Sequence, residues 1–120
     1  MKLLVGEKNP MQTYTETGGI RYGSSFWIAT NFSWPFATLT ASPGEISISV
    51  SLSQLWSKTF ALKRSQIKSI RKNRGLISTG IVIEHFNAEY PPFILFWTFR
   101  YEALKEQLEA VGHSVIETNG

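Results

Sequence analysis

With 120 residues, 42% of them hydrophobic and 18% charged, the chain has the size and composition of one globular domain. The absence of cysteine excludes disulfides, thiolate nucleophiles and cysteine-ligated metals. All nine acidic residues are glutamate, with two histidines beside them, so acid–base or metal chemistry would have to use those groups; the net charge is +3.

The start, Met1-Lys2-Leu3-Leu4-Val5-Gly6, is too short in apolar residues for a signal peptide, which needs roughly 7–15. No stretch approaches the ~18 apolar residues of a membrane span. A cytoplasmic protein is the expectation. Residues 1–23 are polar and glycine-containing, without a sustained period of 2 or 3.6. They read as an irregular or mobile N-terminal arm, with an irregular strand near Ile20 to Tyr22.

Residues 26–41 are strand-like and aromatic. Phe26, Ile28, Phe32, Trp34 and Phe36 share one parity, and Ala37, Leu39 and Ala41 the other. The buried face therefore switches near Pro35, where a bulge or a strand start is expected. Ser42-Pro43-Gly44-Glu45 is a turn. Ile46, Ile48 and Val50 then alternate with Ser47, Ser49 and Ser51, the cleanest half-buried strand of the chain. Residues 56–62 form another strand with Phe60 and Leu62 on one face. Ser65-Gln66-Ile67 reads as a turn, because Ile67 and Ile70 are three apart.

Residues 75–85 place Ile81, Ile83 and His85 on one face of a strand. Pro91-Pro92 breaks the chain, and residues 93–99 are almost continuously apolar, as in a strand buried on both sides. Tyr101, Leu104, Leu108 and Val111 then recur at helical spacing, with Glu102, Lys105, Glu106 and Glu109 facing away. Residues 100–111 are thus an amphipathic helix, and Gly112 stands where a C-terminal cap belongs. The division expected is an arm over 1–23, one domain over 24–115 and a tail over 116–120.

Taken in order, Ser33-Trp34-Pro35-Phe36-Ala37, Phe60-Ala61-Leu62 with Ser65-Gln66-Ile67, Gly80-Ile81-Val82-Ile83-Glu84-His85, Phe93-Ile94-Leu95-Phe96-Trp97 and the closing helix resemble the bacterial pleckstrin-homology-like domains of the PH and GRAM superfamily. The resemblance spans residues ~33–112, about two-thirds of the chain. It rests on order and hydrophobic pattern, not on a catalytic signature. It implies a mainly β barrel of about seven antiparallel strands in two near-orthogonal sheets, capped by one C-terminal helix. Lipid-binding members grip inositol phosphates with basic residues around the loop between the first two strands. By this resemblance that loop is Ser42-Pro43-Gly44-Glu45; it holds one acid and no Lys or Arg, which implies the scaffold without that grip.

The sharpest charged feature is Lys63, Arg64, Lys68, Arg71, Lys72 and Arg74: six positive charges in twelve residues with no acid between them. The remainder carries six basic and nine acidic residues, so the whole positive balance comes from this segment. It is a candidate site for an anionic ligand or membrane surface. The plainer reading, and the one preferred for the segment, is a solvated edge strand and turn whose charges prevent edge-to-edge pairing. Nucleic acid is not expected, because no aromatics interleave with these charges to make a stacking platform.

Adjacent Glu84 and His85 point to opposite faces of a strand, so His85 reads as a hydrogen-bonded rim residue rather than half of an acid–base pair. His85 and His113 lie far apart without local ligand partners, and no metal site is expected. Neither a Gly-x-Ser-x-Gly elbow nor a phosphate-cradling loop is present. Among the aromatics, Trp27 opposes Phe26 and Ile28 and is expected at the surface; Trp27 and Phe26 are the interface candidates. A non-catalytic binding or scaffold domain without cofactors, engaging a protein partner or itself, is the leading expectation. Binding of anionic lipid or another anion through 63–74 is the alternative, and a small enzyme is the third.

Overall fold

The computed structural model describes residues 12–117. Seven antiparallel strands are followed by one helix: β1 (Tyr14–Gly23), β2 (Ala29–Ser42), β3 (Glu45–Ser53), β4 (Trp56–Lys63), β5 (Ile67–Arg74), β6 (Thr79–His85), β7 (Phe93–Thr98) and α1 (Tyr101–Ala110). The strands form one curled sheet in the order β4-β3-β2-β1-β7-β6-β5. A short 3-10 turn, Arg64–Gln66, leads from β4 at one edge to β5 at the other.

Tyr14–Gly23 corrects the expectation of an arm over 1–23: it is the strand at the centre of the sheet, paired with both β2 and β7. Its alternation is hidden because Gly18 and Glu16 occupy inward positions that usually hold large apolar side chains. Residues 1–11 of the expected arm, and 118–120 of the expected tail, lie outside the described residues.

The parity switch near Pro35 is a large bulge. Gly18 pairs with Ala37 and Ile20 with Phe32, so Gly19 alone faces Ser33, Trp34, Pro35 and Phe36. This lets Phe32 pack against the core on one side of the bulge and Ala37, Leu39 and Ala41 on the other. The close approach of β7 sets the residue type at the bend. A Cβ on Gly18 would lie 2.1 Å from the Trp97 carbonyl oxygen, and one on Gly19 would lie 2.3 Å from the Trp97 ring. Only a residue without a side chain lets the strands approach this closely.

Three local assignments also change. Residues 24–28 form a loop, so β2 begins at Ala29 rather than near Phe26. Residues 75–78 are a turn before β6. The turn expected at Ser65-Gln66-Ile67 is the 3-10 turn Arg64–Gln66, with Ile67 already in β5, and the three-residue spacing of Ile67 and Ile70 comes from a β-bulge, since the register with β6 shifts between Ile67 and Ser69.

Ile46, Ile48 and Val50 are buried, as are Phe60, Leu62, Ile81, Ile83 and the consecutive Ile94, Leu95 and Phe96. Tyr101, Leu104, Leu108 and Val111 join the same core from α1. The helix ends in a paired cap: His113 N–H donates to the Leu108 carbonyl at 2.8 Å and Gly112 N–H to that of Glu109 at 3.1 Å, with Gly112 at φ 98°. The chain then turns back along β5. Ile116 N–H donates to Ile70 at 2.8 Å, and Lys72 N–H donates to Ile116 at 2.9 Å, covering part of that edge.

Candidate functional site

The loop between the first two strands is residues 24–28; Ser42-Pro43-Gly44-Glu45 joins β2 to β3 instead. The true β1–β2 loop also contains no Lys or Arg. It presents Phe26, Trp27 and Ile28, which are 42%, 84% and 70% exposed. The parity argument that separated Trp27 from its neighbours does not apply, because all three sit in a turn.

This apolar loop is held firmly. Ser24 and Ser25 N–H donate to the Ile28 carbonyl at 3.1 and 3.4 Å, and Ile28 N–H donates to Ser25 Oγ at 3.2 Å. Arg21 donates through Nε at 2.8 Å and a terminal nitrogen at 2.5 Å to the Phe26 carbonyl. Its guanidinium lies 4.8 Å from the centre of the Phe26 ring. That ring packs edge-on against Trp27 and Phe93, with centroids 4.9 and 5.9 Å away. The loop is preordered, so presenting its apolar groups to a partner costs little further chain entropy.

Other elements reach the same rim. Pro91, just before β7, lines a shallow depression with Ser24 and Ile28. At the start of β4, Trp56 packs on Phe32 at 5.4 Å, and Phe32 stacks on Tyr22 at 6.3 Å. Leu55, immediately before Trp56, is almost fully exposed.

The adjoining edge of β4 is open over part of its length. Ala61 N–H points away from β3 and donates to Tyr90 Oη at 3.2 Å; Lys63 N–H does the same to Gln66 Oε1 at 3.0 Å. Ser57 and Thr59 share that direction by strand parity, and among the described residues no strand pairs with them on that side. Side chains therefore cap the second half of this edge and leave the first half available.

The basic run does not converge on one patch. Arg64 is a brace: it donates to the Pro43 carbonyl at 3.1 Å and to the Gly112 carbonyl, tying the β2–β3 turn to the helix end. Arg71 pairs with Glu84 at 3.6 Å, and Lys72 lies 5.0 Å over the Tyr101 ring. Lys63, Lys68 and Arg74 have no ion-pair partner among the described residues. Arg64 and Lys68 do share a groove of about 310 Å³ with Ser69, His113 and Ser114.

The acid–base candidates are occupied structurally. Glu84 accepts from Ser69 Oγ at 2.5 Å, a bond that pulls its carboxyl below the ordinary range, aided by Arg71 and Lys68. His85 sits on the other side: Nδ1 accepts from Asn87 N–H at 3.0 Å and Nε2 donates to the Pro91 carbonyl at 2.8 Å. His113 is buried and bonds the Ser42 carbonyl through Nε2 at 2.7 Å. Among the described residues, no group of three or more His, Cys, Asp or Glu is placed to hold a metal ion. No described helix is long and apolar enough to cross a membrane.

Burial lowers the His113 pKa, with Arg64 adding to the effect against the Ser42 hydrogen bond. The unfolded chain therefore takes up this proton first as pH falls below about 6.5. Stability from this group is complete above that point and is lost as pH drops toward the depressed folded value. Denaturant midpoints are expected to fall from about pH 7 to about pH 5, and to fall less in His113→Gln, which keeps an N–H donor without titrating. Equal falls in both proteins would remove His113 as the cause.

The sequence reading missed Glu16, a carboxylate only 5% exposed inside the fold. Thr98 Oγ1 donates to it at 2.7 Å and Tyr14 Oη donates to its other oxygen. Tyr14 and Glu16 lie on the inward face of β1 and Thr15 and Thr17 on the exposed one, but an inward glutamate breaks the apolar alternation by which a strand is read from sequence. No protein-family model matches the chain, and no match is found among curated proteins.

Proposed function

We propose that the chain is a non-catalytic binding module of PH-like architecture that engages protein surfaces, a second copy of itself included. The contact would use the rim at residues 24–28 together with the open start of β4. The observation that carries this reading is Trp27, 84% exposed within a loop that hydrogen bonds and a cation–π contact hold in place. A large aromatic exposed on an ordered support is the usual anchor of an interface. Three apolar side chains fall short of a standard interface of about 800 Å² per partner, so the strand edge is needed as well. An added strand would bond the Ser57 and Thr59 N–H groups, which no described residue accepts.

The PH-like part of the proposal rests on seven antiparallel strands followed by one helix, and on the break in β1 at Gly18-Gly19. That break supports dividing the curled sheet into two near-orthogonal halves, β1–β4 and β5–β7. Sedimentation over a concentration series tests self-contact: the wild-type chain should associate reversibly, and Phe26→Ser/Trp27→Ser should remain monomeric with unchanged circular dichroism. Monomers from the wild-type protein at every concentration would contradict the self-association version.

A second reading is favoured by the groove that brings Arg64 and Lys68 beside Ser69 and Ser114. It would take an anionic group, including a lipid phosphate at a membrane surface. Binding to anionic but not neutral vesicles, weakened by salt and by Lys68→Glu, is the expected result. Salt-insensitive or equal binding to both would sink it.

A further inference from the structure

Beyond the end of β7 the chain leaves β1, because β7 pairs only with residues 19–23 of that strand. The gap is a cleft of about 320 Å³, separate from the apolar rim. Glu16 is among its lining residues, Trp34 and Phe99 supply aromatic surface, and Thr15, Thr17, Thr98 and Arg100 complete it. The two rings are 6.0 Å apart at an interplanar angle of 58°, and both are about half exposed. Trp34 reaches this position because the bulge of β2 throws it out of the sheet; Phe99 reaches it from the short link between β7 and α1.

We propose that this cleft binds an alkylammonium group, either the side-chain amine of a lysine in a partner peptide or a small free quaternary amine. A buried carboxylate lining the same cleft as two aromatic rings suits a cation with an apolar coat: the charge meets the carboxylate, and the methyl or methylene groups meet the rings. Glu16 accepts one hydroxyl donor on each oxygen, which leaves acceptor capacity on both. A cation already rests nearby. Arg100 Nε stands 4.0 Å from Glu16 while its side chain is 68% exposed, a long contact that a better-fitting cation can displace. The negative field of Glu16 is also felt by Tyr14, whose hydroxyl pKa is raised first by burial and then by its bond to Glu16 and that charge. A volume near 320 Å³ is at the small end of ligand sites, about 300–1,000 Å³, and suits a head group or one side chain.

Arg100 gives the proposal its distinctive consequence, since removing a native basic residue should strengthen binding of a cation. The full chain is titrated with choline and with a short lysine peptide. Controls are 3,3-dimethylbutan-1-ol, the neutral isostere of choline, and sodium chloride at matched ionic strength. The readouts are the Trp34 indole and the Thr15 and Thr17 amide resonances. Saturable shifts with at least one amine and none with the controls are expected; which amine saturates identifies the source. Arg100→Ala should tighten binding several-fold, and Glu16→Gln should weaken it about tenfold. Should Glu16→Gln fail to fold, Trp34→Leu, at an exposed bulge position, should abolish the saturable response. Equal shifts with the neutral isostere, no saturable shift, or weaker binding in Arg100→Ala would overturn the proposal.

Discussion

Replacing Leu104 or Leu108 by alanine is expected to lower the stability of the folded chain by about 2–5 kcal/mol each. Both side chains are fully buried and belong to the same core as Ile20, Phe60 and Phe96. Truncation leaves a cavity that the paired cap at Gly112 and the Arg64 brace prevent from collapsing, because both fix the end of α1. Denaturant midpoints should shift with little change in slope. Glu106→Ala, on the exposed face, should move stability by less than about 0.5 kcal/mol. Losses of that small size for either leucine would mean that α1 is not docked.

Adding one methyl group where neighbouring strands come closest should be about as damaging. Gly18→Ala and Gly80→Ala are each expected to cost about 3 kcal/mol, the upper range for overpacking. At Gly18 the new carbon would lie 2.1 Å from the Trp97 carbonyl oxygen, and at Gly80 2.1 Å from that of Phe96. Both obstacles are backbone, so a side-chain rotation cannot relieve them. Gly44→Ala is the matched control: nothing lies within 4 Å of its added carbon. That substitution should be neutral or slightly stabilising, through lower entropy of the unfolded chain. Thermal unfolding of the three variants side by side checks the ordering, and a tolerated Gly18→Ala would mean that β1 and β7 do not approach so closely.

These two results bear on the parts of the fold that the sequence disclosed unequally. The helix was legible because its apolar stripe has a period no strand shares, and because Gly112 marks its end. The β3 strand was legible from Ile46, Ile48 and Val50 alternating with serines. β1 was not, since its inward positions hold Glu16 and Gly18, whose roles depend on β7 some 80 residues away in the chain. Reading β1 as an arm assigned the wrong turn to the first hairpin, although the expected number of strands, about seven, matches the seven observed.

The candidate site was legible in part. Phe26 and Trp27 stood out by composition, but their common exposure comes from a loop that Arg21 fixes by bonding the Phe26 carbonyl. The basic run was conspicuous in sequence and is dispersed in space. A bulge at Ile67 to Ser69 and the alternation along β5 send Arg71 to Glu84 and Lys72 to Tyr101, while Arg64 turns to backbone carbonyls. Charge density along a chain does not specify which face each charge takes.

The rim and the open edge of β4 are the centre of the functional account, and amide and indole resonances followed over a protein concentration series test them most directly. The account predicts concentration-dependent shifts or broadening at residues 24–28, the Trp27 indole, and the Ser57 and Thr59 amides, with the rest of the sheet unchanged. Changes confined to residues 63–74, or a spectrum independent of concentration, would contradict self-association through this surface.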